Sequence, residues 1–120
     1  MPHGPRFLKL TAEAKAKIRE VTATEARRLQ QDGTLLIDVR EGEEWAKERA
    51  EGAMHLCKGI LEVKIEEKVP DPATPIVLYC GGGNRSALAA ENLQRMGYTN
   101  VASLIGGFRA WKDQGLETRS

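Results

Sequence analysis

A chain of 120 residues with 41% hydrophobic and 29% charged side chains is ordinary globular sequence, about one domain long. Its 18 basic and 17 acidic residues leave a net charge of +1, and its aromatics are few, so neither nucleic acid nor a membrane surface is an expected partner. No apolar run approaches the roughly 20 residues that span a bilayer. Met1 to Leu10, broken by Pro2, Gly4 and Pro5, lacks a signal-peptide core, so the expected location is the cytoplasm and the expected state of Cys57 and Cys80 is reduced.

Strand-like and helix-like segments alternate, which predicts an α/β fold with a mainly parallel sheet. Met1 to Arg6 reads as a loose tail, Thr11 to Ile18 as a short helix and Ile18 to Val21 as a weak strand. Residues 1–17 are thus an N-terminal extension to a domain over 18–120. Thr22-Ala23-Thr24-Glu25 matches a capping box, starting a helix that stops at Gly33. Leu35 to Val39 is a continuous apolar strand interrupted by Asp38. Glu41 to Ala50 is helix-like, and Gly52 to Leu56 is a short strand. Ile60 to Lys68 has helical character weakened by Val63 and Ile65. After the proline-rich loop Pro70 to Pro75 comes a strand ending at Cys80, then a helix from Arg85 to Met96 closed by Gly97. Val101 to Leu104 is a last strand and Gly107 to Gln114 a last helix.

The stretch Ile76-Val77-Leu78-Tyr79-Cys80-Gly81-Gly82-Gly83-Asn84-Arg85-Ser86 carries the chemistry. A buried strand leads into a glycine-rich loop and a helix N-terminus, so an anion on the Cys80 sulfur would meet backbone amides and the positive end of a helix dipole. Such surroundings favour the nucleophilic thiolate. Glycine lets the loop Gly81, Gly82 and Gly83 curl closely around the sulfur, and Asn84 also tolerates left-handed backbone. Arg85 brings a fixed charge that either faces the anion or pairs with a carboxylate shaping the loop, and the Ser86 amide adds a donor. Asp38 and Arg40 lie at the C-terminal end of a core strand, where ligands bind in open α/β sheets, and are expected as hydrogen-bonded scaffolding near the loop, with contact to substrate by either left open. Glu44 reads as either a solvated helix charge or a partner that supports the loop, and Trp45 and Trp111 as packing residues. Gly106-Gly107 is expected to make a tight strand-to-helix turn. Two cysteines and two histidines, scattered without ligand spacing, predict no metal site, and the glycines lack the Lys-Ser/Thr ending of a nucleotide loop.

Three signatures resemble the rhodanese family: Leu36-Ile37-Asp38-Val39-Arg40 with Glu43-Glu44-Trp45 and Gly52-Ala53, then Cys80 to Ser86, then Met96 to Val101 with Gly106-Gly107-Phe108 and Ala110-Trp111. The resemblance, over roughly Val21 to Leu116, implies a rhodanese-like α/β fold: a five-stranded, mainly parallel sheet flanked by helices on both faces. It implies a single-domain sulfurtransferase, similar to thiosulfate:cyanide sulfurtransferases, in which Cys80 carries the sulfane sulfur as a covalent persulfide with no separate cofactor. The donor would be thiosulfate or a persulfide, small or borne on a protein, and the acceptor a thiophile such as cyanide or a thiol. Gly81 to Ser86 would bind substrate, with Asp38 and Arg40 in support. Where relatives read Gly-His-Ile-Pro-Gly-Ala, this chain has Glu48 to Ala53, which leaves the nucleophile untouched and alters the rim. The loop also lacks the extra cation of forms associated with thiosulfate.

Two other readings compete. A rhodanese-like module can serve sulfur sensing or protein binding without catalysis, and the presence of Cys80 counts against it. Cys-based phosphatases carry a longer cup, whereas here only Gly81 to Asn84 separate Cys80 from Arg85. Cys57, expected at the same end of the sheet, is either a resolving thiol for the Cys80 persulfide or an ordinary half-buried cysteine.

Overall fold

The computed structural model describes residues 3–120. In chain order it contains α1 (Pro5–Lys15), β1 (Arg19–Val21), α2 (Ala23–Gln31), β2 (Leu35–Asp38), α3 (Gly42–Lys47), β3 (Arg49–Ala50) and β4 (Met54–His55). There follow α4 (Lys58–Lys68), β5 (Ile76–Tyr79), α5 (Asn84–Arg95), β6 (Val101–Leu104), α6 (Gly107–Asp113) and β7 (Thr118–Arg119). Five strands form a wholly parallel sheet in the order β1-β6-β5-β2-β4, and β3 pairs antiparallel with β7 in a separate ribbon.

Strand periodicity decides the layering. Residues two apart share a face, so Ile76, Leu78 and Cys80 join Ile37 and Val39 in a core closed by Leu61 and Ile65 of α4 and Ala89, Ala90 and Leu93 of α5. Val77 and Tyr79 point to the other face, with Leu36, Ala102 and Leu104, under Ala23 and Ala26 of α2 and Phe108 and Trp111 of α6. Both faces of β5 are therefore buried, as its unbroken apolar run requires. The expected α/β architecture with helices on both faces is the one found. Thr22 caps α2 through a reciprocal box, its hydroxyl taking the Glu25 amide at 3.2 Å and the Glu25 carboxylate taking the Thr22 amide at 2.9 Å.

Three local expectations change. Met1 and Pro2 lie outside the described residues, but the rest of the expected tail is not loose: α1 begins at Pro5, because proline's fixed φ suits the first helical turn. Thr11 and Ala14 on its buried face pack against α5, and Lys17 pairs with Glu91 at 3.3 Å. The helix expected through Ala50 stops at Lys47. Glu48 turns extended (φ −166°, ψ 145°) and anchors the C-terminal segment, its carboxylate meeting Lys112 at 2.7 Å and Thr118 at 2.8 Å. The strand expected over Gly52 to Leu56 shortens to β4, since Gly52 takes a positive φ of 80° in a turn. In α4, Leu61 and Ile65 one turn apart are buried while Val63 is exposed, so tertiary packing overrides the β-branched side chains.

Candidate active site

β5 delivers Cys80 to the C-terminal edge of the sheet, between β6 and β2. The residue is buried, and its sulfur receives the Gly83 amide N–H at 3.1 Å. The Ser86 hydroxyl lies 3.5 Å from the sulfur and 2.8 Å from the hydroxyl of Ser103, so a buried polar chain runs from β6 to the Cys80 sulfur. Ser103 was not among the expected site residues; its signal is a lone hydroxyl inside the buried strand Val101–Leu104. The left-handed position belongs to Gly83 (φ 100°), not to Asn84, which is the first residue of α5 in right-handed conformation. Glycine takes that backbone without the Cβ penalty, so the curl falls there.

The loop is also held from behind. Phe108 N–H donates to the Cys80 carbonyl at 2.7 Å and Arg109 N–H to that of Gly81 at 3.2 Å, both from the start of α6. Gly107, at φ 55°, comes so close that a Cβ there would collide with the Cys80 carbonyl and with the Gly81 backbone at 2.8 Å. The expected tight turn at Gly106-Gly107 is thus a contact with the cysteine loop itself. Gly107→Ala should lose about 1–2 kcal/mol to left-handed backbone alone, with the collision adding to it. At roughly 4 °C per kcal/mol, thermal unfolding should come at least about 5 °C lower; an unchanged midpoint would refute the close approach.

Arg85 takes the second of its two expected arrangements, pairing with a carboxylate, and the carboxylate is that of Glu44. Its guanidinium grips the Glu44 carboxylate at 3.0 and 3.2 Å, a bidentate pair across the mouth of the loop. Glu44 is therefore not simply a solvated helix charge. The hydrogen bond from Arg85 is the main cause holding its carboxyl below the ordinary 4.5, and Glu44 in turn raises Arg85. The guanidinium lies over Gly81, where a Cβ would come within 3.1 Å of it, so the bare α-carbon makes room for the pair.

Asp38 and Arg40 form a second, fully buried pair. Arg40 Nε donates to both carboxylate oxygens at 3.1 Å, Nη2 to one at 2.8 Å, and the Arg40 amide to the other at 2.8 Å. The remaining reach of Nη2 goes to the Glu48 carbonyl at 2.7 Å, and the guanidinium stacks 4.4 Å above the Phe108 ring. Since Phe108 holds the Cys80 carbonyl, the pair supports the loop from below. Burial, followed by the Asp38 charge, pushes the neighbouring Tyr79 phenol well up, keeping it neutral and free to accept the Ala50 amide at 3.1 Å. His55 is committed elsewhere: Nε2 meets the Arg40 carbonyl at 2.8 Å and the ring stacks on Trp45 at 4.8 Å. Trp111 is wholly buried, whereas Trp45 is half-buried and lies under the Arg49 guanidinium. Cys57 is half-buried at the start of α4.

Above Cys80 opens a cavity of about 360 Å³ lined by Gly82, Asn84 and Arg85 on one side and by Phe7 and His3 on the other. Asp38 and Arg40 stand outside that lining. A cysteine at the end of a central parallel strand, cupped by a glycine loop and a helix N-terminus, is an arrangement suited to the chemistry of a sulfur nucleophile.

Comparison narrows the class. Residues 22–114 match the rhodanese-like domain. The chain is 35% identical over 94 residues, 78% of its length and 87% of the relative's, to thiosulfate sulfurtransferase GlpE of Haemophilus influenzae. Among solved structures, the polysulfide-sulfur transferase homodimer of Wolinella succinogenes superposes with a TM-score of 0.83 at 28% identity, covering 95% of this chain and 87% of the other. A protein of unknown function from Rhodopseudomonas palustris, described as a possible tyrosine phosphatase, gives 0.84 at 32% identity over 99% of both chains. The chain belongs to the rhodanese-like family and is a sulfurtransferase.

Proposed function

We propose that Cys80 accepts a sulfane sulfur from thiosulfate or a persulfide, holds it as a persulfide, and passes it to a thiophilic acceptor such as cyanide or a thiol. The observation that carries this reading is the Cys80 sulfur, beneath an open cavity, already taking the Gly83 amide at 3.1 Å. Attack by the thiolate on the donor's outer sulfur forms one S–S bond and breaks another, and the bonding pair leaves with sulfite or a thiolate. The charge then rests on the outer sulfur, in reach of the loop Gly81 to Ser86. A sulfur anion accepts but cannot donate, so Ser86 turns its hydroxyl proton toward it and Ser103 supplies the next donor. The sulfur stays covalently bound, so the reaction calls for no separate cofactor. Asp38 and Arg40 are the supporting scaffold.

The competing phosphatase chemistry fits less well. Four residues separate Cys80 from Arg85, a cup shorter than that of tyrosine phosphatases, and Arg85 is bound to Glu44 rather than turned toward the sulfur. Incubation with thiosulfate or a persulfide should add the mass of one sulfur atom, removable by cyanide or dithiothreitol, and para-nitrophenyl phosphate should not be hydrolysed. Cys80-dependent phosphatase activity without sulfur uptake would overturn the assignment.

Arg85 works by ordering the loop through Glu44. Arg85→Ala removes a charge-assisted hydrogen-bonded pair worth roughly 1.5–3 kcal/mol if fully expressed, about ten- to a hundred-fold in rate. Half exposure places the expected loss at the lower end of that range. Arg85→Lys should restore only part of it, since an ammonium cannot reproduce the fork. Glu44→Ala should mimic Arg85→Ala; tighter thiosulfate binding in Glu44→Ala would mean that the guanidinium serves the substrate directly. Because the Glu44 value is depressed in the folded protein, the pair is complete above the ordinary carboxylate range and is lost only as pH falls through the lowered value. Sulfur uptake should therefore show no inflection from this pair between neutrality and about pH 5.

A further inference from the structure

α1 precedes the family segment of residues 22–114, yet it supplies a wall of the Cys80 cavity. Its face is built for that placement. Phe7, Thr11 and Ala14 fall at i, i+4 and i+7, so one stripe turns toward α5, and the small Thr11 and Ala14 let the helix settle against it. Phe7 at the N-terminal end of the stripe is half-buried, while Leu8 and Leu10 remain exposed on the other side. The phenyl ring carries the His3 imidazole at 4.9 Å, and together they form an aromatic wall opposite Gly82, Asn84 and Arg85.

Two properties of this cavity bear on what enters it. Its volume of about 360 Å³ is within the roughly 300–1,000 Å³ of sites that take organic ligands, and it is far larger than a few-atom inorganic anion requires. Its one lining arginine is neutralised by the bidentate Glu44 contact, so a small dianion gains little from that side chain. Aromatic surface without spare positive charge rewards an apolar group instead.

We propose that Phe7, backed by His3, is a specificity-determining residue that selects sulfur donors carrying an organic, preferably aromatic, group beside the sulfane sulfur. The proposal rests on the sulfurtransferase reading above and names the substrate class of that same site. With an organic thiosulfonate, the Cys80 thiolate attacks the outer sulfur. A new S–S bond forms, the S–S bond to the sulfonyl sulfur breaks, and its electron pair leaves as the sulfinate. Two negative charges enter and two remain, on the persulfide and the sulfinate, so no outside oxidant or reductant is needed.

The test compares benzenethiosulfonate, methanethiosulfonate and thiosulfate as donors to the full-length protein, with transfer to cyanide as readout. The two thiosulfonates react by the same chemistry and differ in the ring. The parent protein should use the aryl donor roughly ten-fold better in kcat/KM than the methyl donor, chiefly through KM. Phe7→Ala should bring the two within about two-fold, and Phe7→Leu should fall between. Benzenesulfinate should shield Cys80 from iodoacetamide in the parent, and methanesulfinate should not. Equal use of both thiosulfonates by the parent, or an unchanged preference in Phe7→Ala with an unaltered unfolding midpoint, overturns the proposal. Failure of every donor to load Cys80 overturns the transfer reading instead, and the sulfinate protection then judges the aromatic wall separately.

Discussion

Cys80→Ser should abolish sulfur uptake and transfer, by at least about a thousand-fold, as removal of a covalent nucleophile does elsewhere. Serine preserves the volume and still accepts the Gly83 amide, so the loop should keep its shape and the loss should report chemistry rather than folding. A hydroxyl lacks the acidity of a thiol and cannot carry a sulfane sulfur in its place. Cys57→Ser is the control: the residue sits half-buried at the start of α4, outside the lining of the cavity, and sulfur uptake should remain near the parent level. Intact-mass measurement before and after incubation with a sulfane donor reads both variants. Retention of uptake in Cys80→Ser would remove the basis of the proposed mechanism, and its loss in Cys57→Ser would bring the resolving-thiol alternative back into the cycle.

The layered fold was legible because its determinants are local and periodic. The buried run of β5, the capping box at Thr22 and the glycine stops at Gly33 and Gly97 are written within a few residues of where they act. The loop around Cys80 was legible for the same reason, since strand, glycines and helix stand next to one another there. What escaped depends on distant partners. Glu44 stays open between a solvated charge and a loop partner until α5 brings Arg85 to it, 41 residues along the chain. Glu48 and the residues after it carry a helical pattern, and only the arrival of Lys112 and Thr118 draws them into an extended strand beside β7. Ser103 has no motif of its own, and its role exists because β6 lies next to β5. Pro5, read locally as part of a tail, starts a helix whose value to the site lies in Phe7 reaching the cavity.

The largest expected loss of stability comes from Asp38→Ala. Its carboxylate is wholly buried, and it neutralises an Arg40 side chain only 6% exposed, through three side-chain hydrogen bonds and one from the Arg40 backbone. Deleting one partner of such a pair strands the other charge without water, at a cost of about 3–5 kcal/mol. Against a total of roughly 5–15 kcal/mol for a domain, that is enough to bring the denaturant midpoint down by about a fifth or more. The double variant Asp38→Asn with Arg40→Met removes the stranded charge and should recover much of the loss, because a buried ion pair stabilises little relative to well-packed neutral groups. Activity should follow a different order. The guanidinium lies 4.4 Å over Phe108, whose amide holds the Cys80 carbonyl at 2.7 Å, and it also ties down the Glu48 carbonyl. The double variant, refolded and stable, should therefore still transfer sulfur more slowly than the parent, because the Cys80 loop has lost its prop. Full activity in that variant would show that Asp38 and Arg40 serve the fold alone, and a denaturation midpoint unchanged in Asp38→Ala would show that the pair is not the buried electrostatic anchor its geometry describes.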